Sequence, residues 1–186
     1  MKLIVAITGA SGVVLAKKFL DNLPLNIDIH LIISKNAKLS YKLETNKKFS
    51  FKNNNIQVYN DKDISASLAS GSFGADSLII LPCSMNTLAK CSVGIADSLI
   101  TRVFSVMLKE RKNIVLVPRE MPFSTIQLEN MHKLSTLGIT IAPPVLGYYS
   151  QQQTLEQMEN FIIGKLFDLL NIQNDLYKRW KGINND

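Results

Sequence analysis

The stretch Lys2–Gly12 reads KLIVAITGASG, an uninterrupted apolar run that passes directly into a turn of glycine and other small residues. A continuous apolar run is typical of a strand that is buried on both faces of a parallel sheet. Apolar residues with helical spacing follow over Val13–Leu23, and Pro24 ends this pattern. Because the N-terminus carries a single lysine and only a short apolar stretch, we expect a buried first strand rather than a signal peptide, and a cytoplasmic protein.

The alternation of strand and helix patterns continues along the chain. Further strands are predicted at Ile27–Ser34, Ile56–Tyr59, Ser77–Pro82, Asn113–Pro118 and Thr140–Ala142. Further helices are predicted at Ala37–Leu43, from about Asn86, and at Asp97–Arg111, Thr125–Leu137 and Thr154–Leu170. This pattern predicts the α/β class, with a three-layer, doubly wound parallel sheet of the Rossmann or flavodoxin-like type. We expect a single domain over residues 1–170 and a C-terminal tail over residues 171–186 that packs on a neighbouring subunit.

The composition narrows the classes of function. The chain of 186 residues is 46% hydrophobic and 19% charged, which indicates a folded domain rather than a disordered chain. Its apolar runs have the length of strands and fall far short of the roughly 20 residues of a membrane helix, so no membrane partner is expected. Two cysteines do not make a disulfide framework, and two histidines without clustered cysteines predict no metal site.

The net charge of +6 comes mostly from lysine, which supplies 17 of the 21 basic residues. A solvated, lysine-rich surface would explain this charge, and so would an affinity for phosphate-bearing ligands. Nucleic acid is not an expected partner, because the sequence has no long basic stripe with interleaved aromatic residues.

Candidate site residues follow the predicted strands, since ligands of doubly wound sheets bind beyond the carboxyl ends of the strands. The small residues of Gly9–Gly12 would let backbone N–H groups approach a phosphate, although such a turn also occurs without a ligand. The turn lacks the third glycine of a dinucleotide fingerprint. Ser34 stands where a carboxylate would bind an adenosine ribose. Both features favour a mononucleotide over NAD.

Two later strand ends carry further polar residues. Ser84 or Asn86 would cap a helix whether or not a ligand binds there. Arg119 and Glu120 would place an anion-binding guanidinium group beside a carboxylate, and a surface ion pair is the alternative interpretation. Cys83 is expected to be a small buried residue rather than a nucleophile, because nothing near it in the sequence would lower the pKa of its thiol.

Taken in order, these turns and several other segments resemble the UbiX-type flavin prenyltransferases. The matching segments are Thr8–Gly12, Ile33–Lys35, Leu43–Thr45, Leu81–Ser84, Leu108–Arg111, Pro118–Pro122 and Tyr148-Tyr149. The resemblance extends from Lys2 to about Trp180. Each segment alone is common, but the ordered set is specific, above all Leu-Lys-Glu-Arg followed by Pro-Arg-Glu-x-Pro.

The resemblance implies an enzyme that joins the dimethylallyl group of dimethylallyl phosphate to reduced FMN without a metal ion. The product would be the prenylated cofactor of a UbiD-type decarboxylase. The residues implied to hold FMN are Gly9, Ala10, Ser11, Ser34, Ser84, Met85, Asn86, Thr87 and Arg119. Those implied to hold dimethylallyl phosphate are Lys109, Arg119, Tyr149 and Lys165, and those implied to line the reacting centre are Ser11, Glu44 and Glu120. The family forms large homo-oligomers, typically dodecamers, whose site is shared between neighbouring subunits.

The sequence departs from the family pattern at several positions. Asn86 stands where lysine or glycine is frequent, and Lys165 fills a position that is often arginine. A lysine keeps the positive charge there but loses the planar fork of a guanidinium group. Val13–Ala16 and Leu146–Tyr149 also differ from the usual residues.

Two other classes of function share features with this sequence. A flavin-dependent cysteine decarboxylase of the same fold has a motif similar to Pro82–Thr87, but it uses a catalytic histidine that Lys35–Asn46 does not contain. His30 falls inside a predicted strand, where a structural role is expected. A non-enzymatic flavin-binding module is the second alternative, in which Lys109, Tyr149 and Lys165 are ordinary surface residues.

Overall fold

The computed structural model describes residues 1–53, 55–180 and 182. Within them, the strands are β1 (Lys2–Ile7), β2 (Asp28–Ile33), β3 (Ile56–Asn60), β4 (Ser77–Cys83), β5 (Asn113–Pro118) and β6 (Thr140–Ile141). The α-helices are α1 (Val13–Asn22), α2 (Lys35–Thr45), α3 (Met85–Val93), α4 (Leu99–Lys109), α5 (Thr125–Thr136) and α6 (Leu155–Leu169). Short 3-10 segments, which the sequence analysis did not predict, lie at Ser67–Ala69, Gly71–Phe73 and Tyr148–Ser150.

The six strands form one sheet in the order β3-β2-β1-β4-β5-β6, and every pair of neighbours is parallel. The chain moves outward from β1 to β3, returns to β4 beside β1, and then moves outward in the other direction. The strand order therefore reverses between β1 and β4, and open α/β sheets bind their ligands at this point. The predicted α/β class and doubly wound parallel sheet are confirmed.

Two helical layers cover the sheet because β1, β2 and β4 are apolar on both faces. On one face, Ile4, Ala6 and Ile80 belong to the same buried cluster as Leu88 of α3 and Phe104 of α4. On the other face, α1 contacts β4 and α2, and buries Phe19 and Leu20 completely. Burial of each such side chain contributes about 1.5–3 kcal/mol relative to exposure. The core thus fixes the strand ends on which the site is built.

The observed helix bounds differ from prediction where caps or surface residues set them. Helix α2 begins at Lys35 and ends at Thr45, outside the predicted Ala37–Leu43 at both ends. Its start is fixed by Ser34, whose Oγ accepts a hydrogen bond from the Ala37 N–H at 3.1 Å. Its exposed face is rich in lysine, so apolar spacing marked only the middle of the helix. Helix α4 starts after a capping box of Ser98 and Thr101.

The chain divides into two compact units, Met1–Pro143 and Pro144–Asp186. The second unit contains α6 and the tail that follows it. Within this unit, the Tyr177 hydroxyl donates a hydrogen bond to Asp168 Oδ2 at 2.6 Å, and Arg179 Nη2 donates one to Asp168 Oδ1 at 2.7 Å. The proposed division at residue 170, with a tail that packs on a neighbouring subunit, stays a prediction. In the described part of the chain, no helix is both long enough and apolar enough to cross a membrane.

Candidate active site

A cavity of about 260 Å³ opens at the carboxyl ends of β1 and β4, where the strand order reverses. Three of the turns singled out in the sequence meet there. Their cavity-lining residues are Gly9, Ser34, Ser84, Asn86 and Thr87. Other residues that line it are Thr8, Asn36, Asp61, Lys90, Ser98, Ile100 and Thr101. The lining is therefore largely hydroxyl, amide and backbone groups, which suits a polar ligand.

Helix N-termini converge on this cavity. Helices α2, α3 and α4 each begin at a capping serine that lines it, namely Ser34, Ser84 and Ser98. Each serine Oγ accepts a hydrogen bond from a backbone N–H of the first turn, and this interaction fixes where the helix starts. The N-terminus of a helix carries the positive end of its dipole, so three of them aimed at one cavity favour an anionic ligand.

Thr8 and Gly9 bring the turns together. The Thr8 hydroxyl donates to the Pro82 carbonyl at 2.8 Å and accepts from the Ser84 N–H at 2.7 Å, which ties the end of β1 to the end of β4. A Cβ on Gly9 would lie 2.4 Å from the Cβ of Asn36, so only glycine lets α2 begin so close to this turn. These contacts explain why a small, rigid cavity forms at the edge of the sheet.

Arg119 and Glu120 lie at the same edge. Pro118 is the register partner of Cys83, so the residues that follow β5 emerge beside Ser84. Both side chains are exposed, and Glu120 Oε1 accepts a hydrogen bond from the Met121 N–H at 3.2 Å. Among the described residues, Arg119 has no carboxylate partner within ion-pair distance, and the expected alternative of a surface ion pair with Glu120 does not form. Arg119 does not line the cavity, but its exposed guanidinium group is available to an anion at the same end of the sheet.

Glu44 contacts the start of α1. Its two carboxylate oxygens accept hydrogen bonds from the backbone N–H groups of Gly12 at 2.7 Å and Val14 at 3.2 Å. Ser11 is exposed and directly precedes Gly12. Glu44 therefore sits beside the Gly9–Gly12 turn and occupies the Gly12 N–H, which was expected to be open to a phosphate, together with the Val14 N–H beyond the turn. A phosphate must bind at other donors, such as the starts of α2 and α3.

Ala10 and Met85 follow the same turns but do not line the cavity. The Ala10 N–H donates to the Thr8 carbonyl at 2.9 Å and shapes the turn. The Met85 side chain packs against the buried core cluster, so this residue presents backbone rather than side chain toward a ligand.

Within one chain, Lys109 lies near the amino ends of the strands, and the cavity lies at their carboxyl ends. It ends α4, whose first turn lines the cavity, and eleven residues of helix extend about 16 Å. Its Nζ forms an ion pair with Glu110 and approaches Gly71, which precedes β4. Lys109 lowers the pKa of Glu110 through this contact. One chain therefore does not bring Lys109 to Arg119, which follows the far end of β5.

Tyr149 and Lys165 belong to the second unit. The Tyr149 ring contacts the rings of Phe161 and Trp180 edge-on, at centroid distances of 5.8 and 6.1 Å. Lys165 is exposed on α6. Gly147 makes the aromatic contact possible, because a Cβ there would lie 2.4 Å from the Phe161 ring. Tyr149 is thus held within its own unit, and its role toward a prenyl phosphate stays a prediction.

Several cavity residues were missed in the sequence. Asp61 follows β3, and its Oδ1 accepts a hydrogen bond from the Ile100 N–H at 3.0 Å, so it caps α4 from a distance of 39 residues. Asp61 directly follows a strand, as Ser34 and Ser84 do, and this position is the signal for it in the sequence. The lysine- and asparagine-rich segment around β3 obscured that signal. Lys90 lies one helical turn after Asn86 and pairs with Asp97 at 2.6 Å. No pattern in the sequence placed it at the site.

Neither cysteine has the properties of a nucleophile. Cys83 and Cys91 are buried and free, and burial raises the pKa of both thiols, that of Cys91 to about 12. A thiol held in its neutral form reacts slowly with electrophiles. His30 lies in β2, where it is buried and its Nδ1 is 3.1 Å from the Tyr59 hydroxyl. Among the described residues, no group of three or more His, Cys, Asp or Glu side chains could hold a metal ion.

Comparisons with known proteins identify the family of the chain. The flavoprotein family matches residues 1–167. The flavin prenyltransferase UbiX of Helicobacter pylori is 46% identical over 184 residues, which cover 97% of this chain and 98% of that protein. The crystal structure of AnUbiX (PadA1) in complex with FMN and dimethylallyl pyrophosphate superposes with a TM-score of 0.91 at 39% identity, covering 98% of each chain.

A further crystal structure, of a dodecameric FMN-dependent UbiX-like decarboxylase from Escherichia coli O157:H7, has a TM-score of 0.89 at 38% identity, and covers 98% of this chain and all of that one. These similarities extend over nearly the whole chain and include every segment on which the resemblance rested. The chain belongs to the flavoprotein family and, within it, to the UbiX-type flavin prenyltransferases.

Proposed function

We propose that this protein transfers the dimethylallyl group of dimethylallyl phosphate to reduced FMN. One observation carries the proposal: three capped helix N-termini meet at the point where the strand order reverses, and the unpaired Arg119 follows the adjacent strand β5. That arrangement binds an anion at a cavity lined by hydroxyl and amide groups. The full-length similarity to flavin prenyltransferases then identifies the reaction over cysteine decarboxylation or flavin storage.

The donor set of the cavity fits FMN. The starts of α2 and α3 offer backbone N–H groups and the hydroxyls of Ser34, Ser84 and Thr87 to the phosphate end of the molecule. Asn86 is exposed and offers an amide. The missing third glycine of the Gly9–Gly12 turn, and a serine rather than an acidic residue at position 34, agree with FMN rather than a dinucleotide.

Bound reduced FMN supplies the electron-rich ring that accepts the dimethylallyl group. The contribution of the protein is to hold the departing phosphate, orient it and exclude water. Arg119 offers a planar guanidinium fork that can make two parallel hydrogen bonds to a phosphate. We assign Lys109 and Lys165 to the same phosphate as additional positive charges, and the Tyr149 hydroxyl to it as a donor.

Glu120 is assigned to proton transfer. Its carboxylate is exposed beside Arg119, and its only described hydrogen bond is the one from its neighbour's N–H. A carboxylate Oε atom in that position would take up the proton released as the second bond to the acceptor forms, with the departing phosphate as the competing base. Ser11 and Glu44, which lie together at the start of α1, are assigned to the wall of the reacting centre.

The proposed site requires more than one copy of the chain. Lys109 lies near the amino ends of the strands and Arg119 near their carboxyl ends. A neighbouring subunit must therefore supply Lys109 if both residues bind one phosphate. We propose a homo-oligomer, and specifically a dodecamer like the Escherichia coli relative. A UbiD-type decarboxylase as the user of the product, and the cytoplasm as the location, complete the proposal.

Anaerobic incubation of the purified protein with reduced FMN and dimethylallyl phosphate tests the function. We expect mass spectrometry to detect FMN that has gained one dimethylallyl group, and dimethylallyl pyrophosphate in a parallel reaction will show which prenyl donor is preferred. FMN that binds the protein and is recovered unchanged with both donors would contradict the proposal and favour a flavin-binding module.

A further inference from the structure

A second cavity, of about 530 Å³, is lined by residues of β2, α2, β3 and the loop that joins α2 to β3. We call it the lysine-rimmed groove. It is lined by Leu31, Ile33, Lys35, Lys38, Leu39, Lys42, Lys48, Phe49, Phe51 and Val58. It shares no residue with the cavity at the ends of β1 and β4. Its volume falls in the range of small-molecule sites.

The floor of the lysine-rimmed groove is apolar. Leu31 and Ile33 are two positions apart on β2, so they point to the same face of the sheet. Leu31 is the register partner of Val58 on the edge strand β3. Phe49 and Phe51, whose rings lie 6.4 Å apart, bound the groove on the loop side. Leu39 is 55% exposed and Val58 is 49% exposed. Leu39 and Val58 therefore leave a hydrocarbon surface open to a ligand, and the buried Leu31 and Ile33 lie beneath it.

The rim carries positive charge without a partner. Lys35, Lys38 and Lys42 are spaced three and four residues apart on α2, so they lie along one face of the helix together with Leu39. Lys48 adds a fourth ammonium group from the loop. In the part of the chain that the structure describes, no carboxylate forms an ion pair with any of the four. Their mutual repulsion would be relieved by an anion.

We infer that the lysine-rimmed groove binds an amphipathic anion, a hydrocarbon chain of medium length with a single carboxylate or phosphate head. The chain would lie on Leu39 and Val58, and the head would be bound by the lysines of α2. Lysine suits this arrangement because its stem packs on apolar surface while its ammonium group contacts the head. The inference does not depend on the prenyl-transfer reaction.

The test uses the full-length protein loaded with FMN, so that the cavity at the ends of β1 and β4 is filled. Decanoate and decyl phosphate are titrated separately while methyl NMR follows Leu31, Leu39 and Val58. We expect saturable shifts at these methyl groups with at least one of the two, and their relative affinities will show which head is preferred. Acetate, which has the head alone, should leave the methyl groups unshifted, and 1-decanol, which has the chain alone, should bind about tenfold more weakly.

Two charge reversals separate a specific site from general attraction. Lys38→Glu should weaken binding of the preferred amphiphile about tenfold. Lys133→Glu, which changes net charge equally but lies on α5, should leave it unchanged. Leu39→Asn should also weaken binding, and because Leu39 is half exposed this variant is expected to fold.

Three results would overturn the inference. Equal weakening by Lys133→Glu would mean general attraction, and equal shifts with acetate would mean an anion site without a chain site. Unchanged methyl groups with both amphiphiles would mean that the groove is closed, and a Leu39→Asn variant of smaller assembly size would then identify a second copy of the chain as the group that covers it.

Discussion

Arg119 and Arg179 are both exposed, but their guanidinium groups differ in how many hydrogen bonds they make within the protein. Arg179 donates hydrogen bonds to both oxygens of Asp168, to the Tyr177 hydroxyl and to the Asn174 carbonyl, and it lies over the Tyr177 ring. Arg119 has no carboxylate partner among the described residues. A fully bonded guanidinium group stabilises the fold around it, whereas an exposed, unpaired one is available to a ligand. Stability and function are therefore expected to respond to different residues.

Among conservative substitutions, the largest effect on activity is expected at Glu120, beside the free arginine. Glu120→Gln keeps the size of the side chain and removes the group that takes up the proton, so turnover should fall by roughly 100-fold or more. FMN affinity and melting temperature should stay unchanged. Stopped-flow spectroscopy of reduced FMN with dimethylallyl phosphate measures the rate. The control is Glu129→Gln on α5, which should match the wild type; a Glu120→Gln variant that reacts at the wild-type rate would remove Glu120 from the mechanism.

Lysine substitutions at the two arginines compare them directly. Arg119→Lys keeps the charge but loses the bidentate fork. The affinity for dimethylallyl phosphate, measured by calorimetry, should therefore fall about tenfold with little change in melting temperature. Arg179→Lys should do the reverse, with a lower melting temperature and unchanged affinity. If both variants lost affinity equally, the contrast between a structural and a binding arginine would be wrong.

The Asp168 network should make stability depend on pH. Its hydrogen bonds, above all those from Arg179, lower the pKa of Asp168 from 3.8 to about 2. A lowered carboxyl pKa stabilises the folded state above about pH 4, and this contribution is lost as the pH falls toward 2. Burial, followed by the Asp168 contact, raises the pKa of Tyr177 from 10 to about 12, so its contribution is present below pH 10 and is lost between 10 and 12.

Asp168→Asn tests this network. The variant should unfold with a free energy roughly 1 kcal/mol smaller near neutral pH, a modest value because the network is partly exposed to solvent. The difference from the wild type should shrink as the pH approaches 2. Urea unfolding at several pH values measures it, and a difference that stays constant from pH 7 to pH 2 would contradict the assigned role of the Asp168 charge.

The smallest effect on activity is expected at Cys83. Its thiol is buried and its pKa is raised, so Cys83→Ala should leave turnover within about twofold of the wild type while it lowers stability slightly through the lost volume. The same stopped-flow assay applies. Loss of the reaction in Cys83→Ala together with full activity in Glu120→Gln would replace the prenyl-transfer mechanism with one based on a thiol.

The strands, and the place of the cavity at their carboxyl ends, could be predicted because they depend on local patterns. Continuous apolar runs such as β1 and β5 have few other interpretations, and the carboxyl ends of parallel strands must share one edge. Helix ends were less certain where lysines replace apolar residues, as on α2. The short β3 was found, but the polar segment around it concealed Asp61, which reaches the site only through a hydrogen bond across 39 residues.

Contacts that depend on tertiary approach could not be read from the sequence. The two N–H groups that Glu44 occupies, at Gly12 and Val14, depend on how α2 packs beside α1. The separation of Lys109 from Arg119 depends on the direction of α4 and β5, which a motif does not encode. The resemblance to known enzymes placed Lys109 and Arg119 in one group, but in a single chain they lie at opposite ends of the strands.

Complementation between two inactive variants tests the shared site most directly. Arg119→Ala and Lys109→Ala are each expected to abolish prenyl transfer. If a site takes Arg119 from one chain and Lys109 from a neighbour, co-expression of the two variants in equal amounts should restore activity at roughly one quarter of the sites, because half of the chains carry each intact residue at random. Mixed oligomers with no more activity than either variant alone would show that both residues act from the same chain, and would contradict the account.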